Sequence, residues 1–168
     1  MAAALLERAF DLGFRGLKLH LVSTIAHPGL EETLQLVRIA ALHNAPTLFH
    51  CGDEPMIPPL AVSRAAQAAP DATIILGGHM GGYFHVGEAI EVARRVPNLV
   101  LETSAMPYPA KIREAVDAIG AERVLYGSDG PVCSPRLEVR NVRLAALRAS
   151  DEELVLAGNA MRILQAVR

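Results

Sequence analysis

Five short apolar runs punctuate the chain, at residues 14–20, 47–50, 73–78, 99–103 and 124–128, each bounded by glycine, proline or polar positions. Runs of this length with such borders predict buried strands. Their starts recur at about 25 to 33 residues, the length of a parallel strand-helix-strand unit. The segments between them carry helical periodicity. It is clearest over 30–43, where Leu34, Val37 and Ala41 recur at three- and four-residue spacing, and further helices are predicted over 59–68, 87–95, 109–119 and 135–148. Pro109 and Pro135 suit first-turn positions, where a missing N–H costs nothing. Ser150 with Glu153 reads as a capping box, and Asn159 as the cap of a last helix through Val167.

Strands alternating with helices imply a parallel sheet, either doubly wound or part of a closed barrel. Polar residues favour the barrel. Lys18 with His20, His50, His79 and Asp129 all fall at or just past the carboxyl ends of predicted strands, the rim where the loops of a (β/α)8 barrel converge on a site. Alternation within 16–20 puts Lys18 and His20 on one face and Leu17 and Leu19 on the other, toward outer helices.

The 168 residues are 51% apolar and 20% charged, enough to bury one core as a single domain over 1–168 and unlike a disordered chain. A net charge of -2 without a run of like charges gives no electrostatic case for nucleic acid or a membrane surface. The apolar start, residues 1–6, lacks a basic flank and is broken by Glu7, Arg8 and Asp11, so it reads as neither signal peptide nor membrane span. A cytoplasmic location is expected. Cys51 and Cys133 are too few for a disulfide framework and read as reduced core thiols.

Imidazole nitrogen and carboxylate oxygen are ligands for a divalent ion such as zinc, which in catalytic sites keeps a position open for water. His50, His79 and Asp129 are the candidates. They lie 29 and 50 residues apart, so only a fold that gathers strand ends makes them neighbours. A single histidine at a strand end is ordinarily a hydrogen-bonded core residue; three groups at equivalent positions weigh against that. His27, His43 and His85 read as loop or helix-end residues without a catalytic part.

The surrounding sequences are more specific. His50 lies in Phe49-His50-Cys51-Gly52, His79 in Leu76-Gly77-Gly78-His79-Met80-Gly81-Gly82, and Asp129 in Tyr126-Gly127-Ser128-Asp129-Gly130-Pro131. With Gly16-Leu17-Lys18-Leu19-His20 and Gly158-Asn159-Ala160-Met161-Arg162, this set resembles the amidohydrolase-related family, in the branch that includes aminocarboxymuconate-semialdehyde decarboxylase. The resemblance implies part of a TIM (β/α)8 barrel, its fourth to eighth strands, in a metal-dependent hydrolase or nonoxidative decarboxylase of small carbonyl or carboxylate compounds. It implies His50 as metal ligand, His79 as general acid/base, and Asp129 as both metal contact and proton acceptor, with zinc the expected ion. Lys18 and His20 are expected to face the substrate, Glu102 to accompany the lysine, and the loops 52–59 and 106–109 to set specificity.

The family's His-x-His pair is absent from this sequence, and five strands and 168 residues fall short of the eight strands and about 250 residues of a closed barrel. The expectation is therefore a portion of the fold with open strand edges, associating with the remaining part or with a second copy, and holding a metal poorly alone. Two alternatives are a non-catalytic, partner-dependent barrel fragment and a TatD-type metal-dependent nuclease; the acidic balance disfavours the latter.

Overall fold

The computed structural model describes residues 1–54 and 57–168. Its elements run α1 (Ala2–Asp11), β1 (Leu17–Leu19), α2 (Leu21–Thr24), α3 (Glu31–Leu42), β2 (Thr47–His50), α4 (Pro59–Ala68) and β3 (Ile74–Gly77). There follow α5 (Val86–Arg95), β4 (Leu99–Glu102), α6 (Pro109–Ile119), β5 (Val124–Leu125), α7 (Pro135–Leu144), α8 (Ala149–Glu153) and α9 (Asn159–Gln165). The five strands form one parallel sheet in the order β1-β2-β3-β4-β5.

Sequential order without a reversal separates the two sheet types. A doubly wound sheet switches direction and covers both faces with helices, whereas a singly wound one puts its crossover helices on the same face because each connection is right-handed. Side-chain alternation confirms the second case. Phe49, Ile74, Leu76, Leu99, Leu101 and Val124 pack with Val62, Ala89, Ile90 and Ile112 of the crossover helices, whereas Ile75, Val100 and Leu125 form a separate inner cluster with Leu48 and Ile163. The sheet is an open portion of a barrel, with helices outside.

Strand and helix positions follow the sequence pattern, with shorter strands. Residues 14–16 do not pair: Gly16 sits against the Pro46 carbonyl, and Leu17 N–H takes that carbonyl instead. The predicted strand end at His20 turns directly into α2, a helical turn absent from the expected elements. Helix 135–148 stops at Leu144, where Ala146 adopts φ 52°. Pro59, Pro109 and Pro135 all occupy first-turn positions.

Two capping expectations are corrected. Helix α8 begins after Arg148, and the Ser150 hydroxyl reaches only Asp151, so no capping box forms. Asn159 is helical rather than a cap, because α8, a wide π-type turn at Leu154–Gly158 and α9 run on as one helix. Its fully buried amide instead donates to the carbonyls of Ala121 (2.7 Å) and Val124 (2.9 Å). The carbonyl of Val155, in the wide turn, accepts Tyr126 N–H at 2.8 Å.

These bonds place α9 across the amino ends of the strands. Arg162 reaches the Glu122 carbonyl ahead of β5, Arg15 ahead of β1 holds the carbonyls of Leu164 and Val167, and Arg168 N–H bonds His43 ahead of β2. Ile163 and Ala160 thereby close the inner face at that end, leaving the carboxyl end free for a site. Asn159→Ala orphans two buried carbonyls and is expected to cost about 1–3 kcal/mol, measured by urea unfolding.

Candidate active site

A cavity of about 370 Å³ opens at the carboxyl ends of the strands. Its floor is apolar, from Leu48, Ile75 and Leu125, and its walls carry Lys18, His50, His79, Glu102, Ser104 and Asp129. Groups remote in sequence thus meet at one rim. A larger groove of about 440 Å³ between α3 and α4 is lined mainly by alanines with Arg38 and Asp71; it holds no comparable set.

His50 ends β2 and is half-buried. Its Nε2–H donates to Glu54 Oε1 at 3.0 Å, and the His20 ring stacks on it at 4.1 Å and 7°. His20 thus touches the site through His50 rather than lining the cavity, and its Nδ1 bonds the Ser23 hydroxyl. The second Glu54 oxygen is buried without a hydrogen-bond partner among the described residues. Burial raises the Glu54 pKa, but its own backbone N–H and the His50 ring outweigh that and hold it below the usual carboxylate range. Cys51, next along, points outward as alternation requires: it is fully buried, donates to the Ile57 carbonyl, and burial pushes its thiol pKa up. It is no nucleophile.

His79 lies two residues past β3 with φ 55°, followed by Met80 at 56°. The left-handed region costs a non-glycine residue about 1 kcal/mol, and the cost is met by bonds that extend the β3–β4 pairing: His79 N–H to Ser104 O (2.9 Å) and Met80 N–H to Glu102 O (3.1 Å). The His79 Nδ1–H donates to the Ala105 carbonyl at 3.3 Å. A carbonyl only accepts, so this bond puts the proton on Nδ1 and leaves Nε2 as the basic nitrogen. Tyr83 stacks on the ring at 3.8 Å.

Glu102, the last residue of β4, is the site's buried carboxylate at 8% exposure. It accepts the Ser104 hydroxyl (2.7 Å) and Ser104 N–H (2.8 Å). Burial raises its pKa, opposed by those bonds, the Gly78 N–H and the charge of Lys18. Neighbouring strands leave room for it: a Cβ at Gly127 would overlap its carboxylate, and one at Gly77 would press on both Leu48 and Glu102. Lys18 stands on the open edge strand; desolvation lowers its pKa while Glu102 and Asp129 raise it. The expected company of Lys18 and Glu102 is thus present as an electrostatic pairing across the cavity, without a direct ion pair.

Asp129, at φ 50°, reaches the rim from beyond β5 and is exposed. His50, His79 and Asp129 therefore line one cavity, yet among the described residues no three His, Cys, Asp or Glu side chains converge to hold a metal ion. Imidazole and carboxylate suit a divalent ion, but this donor set is incomplete by itself.

Sequence reasoning missed Glu54, Asp53 and Tyr83. The first two had a signal, carboxylates three and four residues past His50 in the same loop. Asp53 ties that loop to the next by accepting the N–H groups of Tyr83 (2.9 Å) and Phe84 (3.0 Å) and the His85 ring (3.1 Å). His85 is thus a structural partner, as is His43, which bonds Glu7 at 2.9 Å and stacks on Phe10. Residues 55 and 56 of the expected specificity loop lie outside the described residues.

The sequence model of the family described as Amidohydrolase matches residues 1–165. No curated protein matches the chain. Among solved structures, an uncharacterized TIM-barrel protein from Bordetella bronchiseptica shares 25% identity with a TM-score of 0.80, over 97% of this chain and 61% of its own. A 5-carboxyvanillate decarboxylase from Sphingomonas paucimobilis shares 20% at 0.74, over 99% and 63%. A dihydroxybenzoic acid decarboxylase from Polaromonas, solved with manganese bound, shares 17% at 0.73, over 98% and 65%. The chain spans about three-fifths of the length of these structures. No helix among the described residues is long and apolar enough to cross a membrane.

Two outcomes follow from this geometry. Gly127→Ala is expected to lose about 1–3 kcal/mol by overpacking, and a double-mutant cycle with Glu102→Ala should show that most of the loss disappears when the carboxylate is removed. For Asp53, burial raises the pKa but the Phe84, His85 and Tyr83 donors outweigh it and leave the folded-state value depressed. A depressed carboxylate stabilises the fold above its unfolded pKa of about 3.9 and ceases to as pH falls through the lower folded value. Asp53→Asn should therefore be less stable than the parent above that pH and converge with it in stronger acid, read by urea unfolding against pH.

Proposed function

Because this chain belongs to the amidohydrolase family, we propose that it supplies the fourth to eighth strands and most of the active site of a metal-dependent hydrolase or nonoxidative decarboxylase. Its substrate is a small carbonyl or carboxylate compound. The observation that carries this reading is the meeting of Lys18, His50, His79 and Asp129, from separate strand ends, on one cavity of about 370 Å³.

Lys18 is the cationic group on the cavity wall and pairs with a substrate carboxylate, while the apolar floor accepts the carbon skeleton. His79 moves the proton. Hydrolysis needs a base for the attacking water and an acid for the leaving group; decarboxylation needs a proton delivered to the carbon that loses carbon dioxide. An imidazole with Nδ1–H anchored and Nε2 free serves either. Asp129, at the same rim, accepts a proton from water. His20 shapes the substrate side through its stack on His50.

His50 and Asp129 are the residues that would hold the divalent ion, zinc in our reading, with further donors from the rest of the barrel. When bound, such an ion lowers the pKa of its water to about 7 and polarises a carbonyl. The shortfall of convergent donors among the described residues and the exposed edge strand both suit association with the remaining barrel portion or a second copy. Those same facts favour, as second reading, a non-catalytic fragment that acts only by completing a barrel. The net charge of -2 disfavours a nucleic-acid substrate, and two free thiols suit a cytoplasmic setting.

The test is divalent-ion titration and turnover of the complete barrel with zinc and manganese. His50→Ala and Asp129→Asn are expected to weaken ion binding at least tenfold, about 1.4 kcal/mol, and to abolish turnover. Parental affinity and rate in both variants would remove the assignment, and ion-independent assembly without turnover would establish the fragment reading.

A further inference from the structure

The His79 ring is held at one nitrogen by a bond of 3.3 Å to the Ala105 carbonyl, longer than the roughly 2.7–3.2 Å of a well-formed N–H···O bond. A single bond of that kind leaves an imidazole free to swing about the line joining donor and acceptor. Tyr83 removes the freedom. Its ring lies on the imidazole at 3.8 Å between centroids and 19° between planes. The loop after β3 curls to bring the two together, with the N–H groups of Gly81 (3.0 Å) and Gly82 (3.1 Å) on the Gly78 carbonyl. The far end of that curl is held from the neighbouring loop. Asp53 accepts Tyr83 N–H on one carboxylate oxygen (2.9 Å) and Phe84 N–H on the other (3.0 Å), and the His85 ring adds a third bond at 3.1 Å. Gly82 passes so closely that a Cβ there would stand 2.6 Å from Asp53 Oδ1 and 2.9 Å from the carbonyl carbon of Gly52. Tyr83 is itself 38% exposed, so core packing does not account for its place.

From these contacts we propose that Tyr83 is a positioning residue for His79 and that Asp53 is the anchor that keeps it in place. The carboxylate fixes the backbone at residue 83, the phenol ring covers one face of the imidazole, and the covered imidazole keeps Nδ1–H on the Ala105 carbonyl with Nε2 left free. The aromatic face does this work and the hydroxyl has no part in it. The proposal rests on the reading of His79 as the proton-handling group, and it is tested without any turnover.

The measurement is long-range proton–nitrogen NMR on the histidine-labelled full chain at a pH where the imidazoles are neutral, with the His79 signals assigned by their loss in His79→Gln. It reads the upfield displacement that a stacked ring imposes on the carbon-bound imidazole protons, and the ratio of Nε2–H to Nδ1–H. The parent is expected to show displaced protons and the Nδ1–H form. Tyr83→Leu should lose the displacement and raise the ratio roughly fivefold, the equilibrium weight of the hydrogen bond that a released ring no longer keeps. Tyr83→Phe should retain both. Asp53→Ala should reproduce the changes of Tyr83→Leu; should it fold poorly, Asp53→Asn, with one acceptor oxygen for three donors, should move both readouts partway. His43, bonded to Glu7 at the amino ends of the strands, keeps its parental signals throughout, which separates these changes from general loosening. An unchanged ratio in Tyr83→Leu, or an equal change in Tyr83→Phe, would overturn the role of Tyr83, and parental His79 signals in the folded Asp53 variant would overturn the anchor. If both readouts respond as expected but His79→Gln retains turnover in the complete enzyme, the positioning roles stand and the catalytic reading of His79 falls.

Discussion

The Glu102 carboxylate is taken almost wholly out of water at the end of a central strand, and much of the rim is arranged around the need to satisfy it. A buried carboxylate without donors is costly. Ser104 meets the need with both its hydroxyl and its N–H, which folds the chain back immediately after β4. That reversal makes the Ser104–Met106 turn, the turn supplies the carbonyl that receives His79, and Ser104 O receives His79 N–H. On the other side the carboxylate occupies the volume a side chain at 127 would need. The glycine there lets the chain after β5 pass closely enough to carry Asp129 to the same cavity. One buried carboxyl group thus sets the path of two loops.

The fold was legible in the sequence because the information is periodic. Apolar runs at regular spacing give strands, intervening 3.6-residue patterns give helices, and the period of two assigned Lys18 to the inner face and Leu19 to the outer one. The site was legible one layer deep. His50, His79 and Asp129 stand out because polar residues at strand ends interrupt an apolar pattern. Tyr83 gives no such signal: an aromatic in a loop reads as any surface residue, and only the tertiary approach of the Asp53 loop shows what holds it over His79. Asn159 failed in the opposite way. A small amide in that place looks like a cap, but a helix can continue through it when its side chain has carbonyls to satisfy elsewhere, and the backbone ahead of β5 provides them.

Strain is concentrated where chemistry is proposed. His79, Met80, Ala105 and Asp129 all take left-handed backbone conformations without being glycine, and all lie in the loops at the carboxyl ends of the strands. Each would relax by about 1 kcal/mol in an extended or helical conformation. They persist because other contacts over-determine them: the continued pairing with β4 for His79 and Met80, and, for the turn that holds Ala105, the Met106 N–H to Thr103 O bond and the Asn141 amide on the Met106 carbonyl. Such a rim is preorganised by its surroundings rather than by local preference. It follows that residues far from the cavity, on α7 and in the loop of Asp53, control the geometry of groups that line it.

Burial across the sheet is graded, and the gradient bears on how the site is completed. All residues of β3 and β4 are buried, β2 alternates between buried and half-buried, and β1 leaves Lys18 exposed. The groups best fixed are accordingly His79 and Glu102, in the middle. The least fixed are Lys18 and His20, which stand beside a strand edge that has no neighbour among the described residues. A cation at a water-exposed edge binds a carboxylate weakly, since solvent screens it; the same cation under a further strand would bind far more strongly. Covering that edge would therefore do more than seal a barrel. In the proposed reading it would complete the desolvation of Lys18 that the cavity begins and make that cation selective, while leaving the His79 side of the cavity as it already stands.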